Sequence, residues 1–193
     1  MNYLIIGCHP YEGSFNAAAG KAIWEKINKS GERAEFIDLV SDGFNPVMTA
    51  KDLKLWRQGK FDDGLVGKYQ TAIEKSDILV FVFPIWWGTM PAVLKGFCDK
   101  VLLPGFAYKY DNDGNIIGLL SSKKAYVITT MQTPVSYYND YFKSPVTGGF
   151  IRDTLETCDI ELIRHFEIDN IVSGGRDYAE EKMKQVLELF DFQ

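Results

Sequence analysis

Five apolar runs divide the chain and set the expected architecture. Residues 78–83 (ILVFVF) are continuously apolar, and residues 3–6 (YLII) form a second such run that a glycine closes. Continuous apolar runs of this length are typical of strands that are buried on both faces of a parallel sheet. Residues 35–40 and 125–130 are predicted as two further strands, and residues 160–168, which alternate imperfectly between apolar and polar positions, are predicted as the fifth.

Segments with helical spacing separate these strands. Ala19, Ile23 and Ile27 recur every four residues after Ser14, a helix-capping residue type, and Gly31 offers the stop. Residues 90–103 and 178–190 have the same character, and a polar insertion at residues 41–68 contains one short helical piece at residues 52–56, before a helix end at residues 69–75. Alternating strands and helices predict an α/β fold, a doubly wound parallel sheet of five strands with helices on both faces.

Composition bounds the class of protein. A length of 193 residues with 46% hydrophobic residues predicts one domain over residues 1–193. The net charge of -5, with both signs interspersed, argues against nucleic acid and acidic lipid as partners. Three well-separated cysteines predict free thiols in a reducing compartment. No run approaches the ~18 apolar residues of a membrane span, so we expect a soluble cytoplasmic protein without membrane insertion, and no metal site is predicted.

The expected fold indicates three loops as candidates for a ligand site. Ligands of doubly wound sheets bind beyond the carboxyl ends of the strands, where the winding reverses. This places candidate residues in the loops at 7–16, 83–90 and 129–141. In the first loop, the helix N-terminus favours a phosphate, with Ser14, Asn16 and His9 as added donors. The alternative is that Ser14 or Asn16 only caps the helix.

The first loop lacks residues that two other classes of phosphate-binding protein require. A Walker loop needs Gly-Lys-Ser/Thr after its glycine-rich turn, and the chain has none there. Low-molecular-weight phosphatases share this kind of fold and place a nucleophilic cysteine after the first strand, with an arginine six residues later. Cys8 matches the cysteine, but Ser14 stands at the arginine position. Cys8 is therefore interpreted as a buried, unreactive thiol.

The second and third loops are rich in aromatic residues. Trp86, Trp87 and Gly88 could supply a flat apolar wall and backbone amides for a conjugated ring, although ordinary packing is the alternative. The third loop has two threonines followed by three tyrosines. A tyrosine there could donate a proton or a hydrogen bond to a reduced product, or simply be a surface aromatic.

Four segments in one order resemble a known family. They are HPYEGSFN at residues 9–16, FPIWWGTMPAVLKGFCDKV at 83–101, PGFAYKY at 104–110 and KKAYVITT at 123–130. Together they resemble the flavodoxin-like NAD(P)H:quinone oxidoreductases of the DT-diaphorase and modulator of drug activity type. The resemblance implies a flavodoxin-like sheet of order 2-1-3-4-5 and a ping-pong transfer of two electrons from NAD(P)H, through a flavin, to a quinone or similar small acceptor.

The same resemblance assigns roles to residues of this chain. It implies FAD as the cofactor, with FMN as the alternative, and a homodimer whose interface lies beside the flavin. The substrate pocket would include Phe106 and Tyr108, near the flavin of the partner subunit. The flavin phosphates would be held by His9, Ser14, Phe15 and Asn16, and the ring framed by Pro84, Ile85, Trp86, Trp87, Gly88, Thr129, Thr130 and Met131.

The chain departs from the family at two places. Met131 and Gln132 stand where the family usually has two glycines. Tyr137 matches the family's active-site tyrosine, but Lys143 stands where its histidine partner is expected, so the tyrosine-histidine relay is not carried over. Tyr137 stays the candidate catalytic residue.

Two other classes of function stay open beside the enzyme. A non-catalytic flavodoxin-type electron carrier would have a phosphate loop rich in Ser, Thr and Gly, which differs from the loop here. An accessory flavoprotein that regulates a partner would leave no signature in the sequence.

Overall fold

The computed structural model describes residues 1–191 and contains a five-stranded parallel sheet. In chain order its strands are β1 (Asn2–Gly7), β2 (Arg33–Asp38), β3 (Ile78–Pro84), β4 (Tyr108–Tyr110), β5 (Ile116–Gly118), β6 (Lys124–Thr130) and β7 (Glu161–Ile168). The large sheet has the order β2-β1-β3-β6-β7, and β4 pairs with β5 as a separate antiparallel hairpin. With the hairpin set aside, this order is 2-1-3-4-5, and the predicted flavodoxin-like α/β fold class is confirmed.

Helices cover both faces of the sheet. They are α1 (Phe15–Lys29), α2 (Ala50–Trp56), α3 (Gly64–Lys75), α4 (Ala92–Val101), α5 (Val135–Asp140) and α6 (Gly175–Glu188), with a π-helical segment (Val146–Leu155) and a short 3₁₀ turn (Glu156–Cys158) before β7. Helices α1 and α6 share one apolar cluster with the sheet. Helices α3 and α4 and the π-helical segment share the cluster on the other face.

Strand β3 lies at the centre of both clusters, and all seven of its residues are buried. Its alternating side chains enter opposite faces, since Leu79 and Phe81 belong to one cluster and Val80 to the other. The ring of Phe150 in the π-helical segment packs edge-on against Phe81 and Phe83, with ring centroids 5.0 and 5.5 Å apart. These contacts hold the π-helical segment against the half of β3 nearest its carboxyl end.

Some element boundaries differ from the sequence prediction. Strand β2 covers Arg33–Asp38 rather than residues 35–40 because the Asp38 carboxylate accepts the main-chain N–H groups of Val40 and Ser41, which turns the chain there. Helix α3 begins at Gly64, five residues before the predicted helix end, and Asp63 caps it. Helix α6 begins at Gly175 rather than at residue 178, and the predicted domain runs two residues past the described part of the chain.

The sequence prediction did not include the β4–β5 hairpin, α5, the π-helical segment or the short 3₁₀ turn. The hairpin strands are three residues long and mostly exposed, and α5 has one buried residue, so neither leaves a periodic apolar signal. The π-helical segment has buried residues at Val146, Phe150, Ile151 and Leu155, a pattern close to that of an α-helix.

The cysteines agree with the expectation of free thiols. Cys8, Cys98 and Cys158 are each unpaired and buried. Burial is also the main cause that raises the pKa of the Cys8 thiol far above its usual range, which keeps the sulfur protonated and supports its interpretation as unreactive. Across residues 1–191 no helix has the length and apolar character needed to cross a membrane.

Candidate functional site

The three nominated loops meet at one edge of the sheet, where β1, β3 and β6 end. The ring of His9 from the first loop lies 5.7 Å from that of Trp86 in the second, at 68° between planes. The side-chain amide of Asn16 donates a hydrogen bond to the Thr130 hydroxyl, with 2.7 Å between Nδ2 and Oγ1. The main-chain N–H of Ile85 donates to the Thr130 carbonyl at 2.7 Å. Contacts between loops therefore build the site, as the parallel topology predicts.

A cavity of about 660 Å³ opens at this edge. Its volume lies in the usual range for small-molecule sites. Arg176, in the first turn of α6, was missed by the sequence analysis, although an arginine after Gly174 and Gly175 at a helix start is an available signal for an anion site. The cavity is lined by His9, Tyr11, Gly13, Ser14, Phe15, Asn16, Ala18, Pro84, Thr130, Ile171, Val172, Gly175, Arg176 and Ala179.

Ser14 and Phe15 form the entry to α1. Ser14 is the N-cap, and its hydroxyl oxygen accepts the main-chain N–H of Ala17 at 3.1 Å. The capping role considered from sequence is therefore confirmed, and the direct role of Ser14 toward a phosphate stays a prediction. Phe15 is the first helical residue, where main-chain N–H groups have no acceptor within the helix. The cavity thus contains the positive end of a helix.

Asn16 is a buried polar residue at this edge. It is only 4% exposed, and its Nδ2 is bonded to Thr130 as described above. Its Oδ1 is buried and has no hydrogen-bond partner among residues 1–191. Because the Thr130 hydroxyl can both donate and accept, a half-turn of the amide would keep that hydrogen bond and present N–H groups instead. Asn16 can therefore offer either an acceptor or a donor to a bound group.

Trp86 to Thr89 form a tight two-residue turn directly after β3. The main-chain N–H of Trp86 donates to the Thr89 carbonyl at 2.9 Å, and the N–H of Thr89 donates back at 3.1 Å. Both central residues are left-handed, with φ of 50° at Trp87 and 81° at Gly88, which is a type I′ arrangement. Such a conformation is strained for a bulky residue like tryptophan. The turn leaves the Trp87 side chain fully exposed and that of Trp86 half-exposed.

Thr129 and Thr130 lie side by side but bond in different directions. The hydroxyl of Thr130 faces α1 through Asn16, whereas that of fully buried Thr129 lies 3.0 Å from Nε2 of His165 in β7. Burial lowers the pKa of His165 from 6.5 to about 4, so the ring is neutral at physiological pH. This pair has no signal in the sequence, because it depends on the register between β6 and β7.

Tyr137 lies on α5 with a half-exposed ring. It stacks on Tyr141 with centroids 5.0 Å apart and 10° between planes, and it meets the Phe142 ring edge-on at 5.5 Å. Lys143, which stands at the relay-histidine position, is left-handed with φ of 58°. The neighbouring Tyr138 points the other way and is buried.

Met131 and Gln132, the two residues in place of the family's glycines, are both engaged within the protein. Met131 is buried, and its main-chain N–H donates to the Ile168 carbonyl at 2.8 Å. The Gln132 side-chain oxygen accepts the Val172 N–H at 2.8 Å. These contacts tie the loop after β6 to the connection between β7 and α6.

Phe106 and Tyr108 do not line the 660 Å³ cavity of the single chain. Both pack, half-buried, against the cluster that contains α3 and α4. Tyr108 lines a separate cavity of about 400 Å³ together with Trp56 of α2. Burial, followed by the influence of Tyr110, raises the pKa of Tyr108 to about 12. Their predicted place near a partner's flavin concerns an assembly of two chains and stays a prediction.

A larger groove of about 970 Å³ runs between α1 and β2. It touches the smaller cavity through His9 and Ala18, but no residue of the loops after β3 and β6 lines it. The Asp38 carboxylate in this groove is already occupied by the turn at Val40 and Ser41. The 660 Å³ cavity is therefore the better candidate, because it alone of the two reaches Pro84 and Thr130.

Known proteins match the chain over nearly its whole length. The family model described as a flavodoxin-like fold matches residues 1–190. An uncharacterized NAD(P)H oxidoreductase of Haemophilus influenzae is 33% identical over 87% of this chain and 83% of its own. The mouse ribosyldihydronicotinamide dehydrogenase [quinone] is 28% identical over 95% of this chain and 86% of its own. The crystal structure of Smu.1420 from Streptococcus mutans superposes with a TM-score of 0.82 at 28% identity, covering 98% of each chain.

The lowered pKa of His165 predicts a loss of stability in acid. At and below pH 6.5 the unfolded histidine takes up a proton that the folded ring takes up only near pH 4. Stability is therefore present above about pH 6.5 and is lost as the pH falls toward 4. The unfolding free energy of the wild type should fall between pH 7 and pH 5. In His165→Gln we expect this fall to be smaller by about 1–2 kcal/mol. Urea denaturation of both proteins at the two pH values measures this, and parallel pH profiles would contradict it.

Proposed function

The chain belongs to the flavodoxin-like fold family, and on that premise we propose that it is a flavin-dependent NAD(P)H oxidoreductase that passes two electrons to a quinone or a similar small acceptor. Relatives named NAD(P)H oxidoreductase and quinone dehydrogenase support the type of reaction. One observation supports assigning this function to the cavity at the edge of the sheet. It is the amide of Asn16, a residue that lines the cavity at the N-terminus of α1 and whose Oδ1 is buried with no hydrogen-bond partner among residues 1–191.

The residues around the cavity fit a flavin nucleotide. The first turn of α1 and the adaptable amide of Asn16 suit a phosphate. Arg176 adds a positive charge across the cavity, although its Nε also donates to Glu180 at 2.7 Å. We propose FAD, since the cavity continues past α1 to α6 and offers a cation there for a second phosphate; FMN is the alternative.

The chain's own residues position the reacting groups. When bound, the flavin would accept a hydride from NAD(P)H and reduce the acceptor in a second step. The turn at Trp86–Thr89 and the strand end at Thr129–Met131 would support its ring. Quinone reduction consumes the hydride and one further proton, and Tyr137 is placed on a half-exposed helix from which it could orient the acceptor or donate that proton. One pocket would take the donor and then the acceptor.

The proposal includes a symmetric homodimer in the cytoplasm. Trp86, Trp87, Tyr137, Tyr141 and Phe142 are exposed at or near the loops that form the site. Exposed aromatic side chains in such number are typical of interaction surfaces, and a two-fold contact would cover the same surface on both copies. The second copy would then bring its Phe106 and Tyr108 to the pocket. Three unpaired thiols are in keeping with a reducing compartment.

The cofactor can be identified directly. We expect the purified protein to be yellow and to release FAD on denaturation, as read by mass spectrometry. We also expect NAD(P)H oxidation to accelerate when a quinone is added. Release of FMN would correct the cofactor alone, and slow NAD(P)H oxidation with and without quinone would favour an electron carrier. A colourless protein that takes up no added flavin would overturn the proposal.

Asn16→Leu should weaken flavin binding about 10- to 100-fold, or ~1.4–2.7 kcal/mol, because it removes a charge-facing hydrogen-bonding group at the helix N-terminus. Fluorescence titration of the flavin-free protein measures the dissociation constant. Asn28→Leu, at the far end of the same helix, is the matched control and should bind flavin normally. Equal affinity in the wild type and Asn16→Leu would count against this phosphate site.

Tyr137→Phe should leave flavin affinity unchanged and slow the acceptor half-reaction by no more than about 100-fold. The effect is limited because the Tyr137 ring contacts the rings of Tyr141 and Phe142, and neither of these serves the phenol as a base. Stopped-flow absorbance can follow each half-reaction separately. A loss of several thousandfold would mean that the phenol has a proton-transfer partner, and no loss at all would make Tyr137 a packing residue.

A further inference from the structure

Tyr138 is a buried tyrosine in a row of exposed aromatic residues. It is 1% exposed, whereas Tyr137 and Tyr141 on either side of it are largely in solvent. Its hydroxyl makes two hydrogen bonds, both to main-chain groups. It donates to the Gly88 carbonyl at 2.8 Å, and it accepts the N–H of Val146 at 3.1 Å. The side chain therefore joins α5 to two segments that are distant in sequence.

The first of these segments is the strained turn after β3. Trp87 has a φ of 50°, and a residue held in such a conformation typically costs about 1–3 kcal/mol and persists only when its surroundings over-determine it. The two mutual hydrogen bonds of Trp86 and Thr89 supply part of that restraint. They act only within the turn. The hydrogen bond from the Tyr138 hydroxyl anchors the Gly88 carbonyl of the turn to α5.

The second segment is firmly packed. Val146 is the first residue of the π-helical segment and is fully buried, and Phe150 of that segment packs against Phe81 and Phe83 of β3. The main-chain N–H of Ser144 also donates to the Tyr138 carbonyl, at 3.3 Å. The phenol thus fastens the turn to a part of the protein that is fixed by the core.

We propose that Tyr138 is a positioning residue for the ring end of the flavin site, acting through the Trp86–Thr89 turn. This inference rests on the proposed function, in which that turn supports the flavin ring. The hydroxyl binds the Gly88 carbonyl oxygen and so fixes the direction in which that carbonyl points. It also holds Trp87 in its left-handed conformation before any ligand arrives, which lowers the ordering cost of binding.

Tyr138→Phe removes the hydroxyl and keeps the ring, so it tests the two hydrogen bonds alone. Tyr69→Phe is the control, because it also removes one hydroxyl from a buried tyrosine, here bonded to Asp42 at 2.9 Å, at a place remote from the turn. Hydrogen exchange followed by mass spectrometry should be measured on the flavin-free proteins for peptides that cover residues 84–90 and 144–148. Flavin dissociation constants and the visible absorption spectrum of the bound flavin complete the comparison.

We expect Tyr138→Phe to speed exchange at both peptides about tenfold or more, to raise the flavin dissociation constant about tenfold, and to shift the flavin spectrum. Tyr69→Phe should lower the melting temperature comparably but change none of these. Wild-type exchange and affinity in Tyr138→Phe would overturn the inference, as would equal losses in both variants, which would indicate a general loss of stability. If the wild type takes up no flavin, the proposed function fails, and the exchange comparison still decides whether Tyr138 holds the turn.

Discussion

Strand β3 is buried on both faces, and this burial determines where the helices pack and where the site can form. A strand with no exposed residue needs an apolar layer on each side, and here α1 and α6 supply one while α3, α4 and the π-helical segment supply the other. The parallel neighbours β1 and β6 then end at the same edge as β3. Since both faces are closed by helices, polar side chains gather where the strands stop. That edge is where the candidate site lies.

At this edge, the alternation of side chains along a strand directs neighbouring polar residues to different partners. Successive side chains of β6 point to opposite faces, so Thr130 reaches Asn16 of α1 while Thr129 reaches His165 of β7. Tyr138 makes a comparable connection between α5 and the turn after β3. Each of these side chains uses a hydrogen bond to link two segments that are far apart in sequence, and buried polar groups of this kind are costly unless they are paired. Three buried side-chain oxygens among residues 1–191 have no hydrogen-bond partner, namely Asn16 Oδ1, Asn139 Oδ1 and Glu167 Oε1, and of these residues only Asn16 lines the 660 Å³ cavity.

Features of this arrangement that depend on the periodicity of apolar residues can be predicted from the sequence. Features that depend on the register between neighbouring strands cannot. The five strands and the three loops follow from the pattern of apolar and polar positions, whereas the strand order 2-1-3-4-5 follows from the resemblance to a known family. Of the first-loop residues that line the cavity, His9, Ser14, Phe15 and Asn16 were named from the sequence, whereas Tyr11 and Gly13 were not. The β4–β5 hairpin and α5 were not predicted, because such short and mostly exposed elements have no repeating apolar pattern. The π-helical segment was also missed, although its buried residues have nearly helical spacing. Neither the Thr129–His165 pair nor the bond from Tyr138 to a main-chain carbonyl leaves any trace in spacing along the chain.

The departures from the family's pattern point to a site that works by position more than by acid-base chemistry. His165 is buried, neutral and bonded to Thr129, so it is committed to the joint between β6 and β7 rather than to a relay with Tyr137. Lys143 begins a left-handed bend that continues through Ser144, and the rings around Tyr137 provide stacking but no base. Met131 and Gln132, in turn, bond the loop after β6 to its neighbours. With the expected relay missing and the loops tied by Asn16, Gln132 and Tyr138, the proposed reaction would depend on holding a ring and an acceptor in contact, and proximity of that kind can by itself supply several kcal/mol of a barrier, about 7–11 in the best cases.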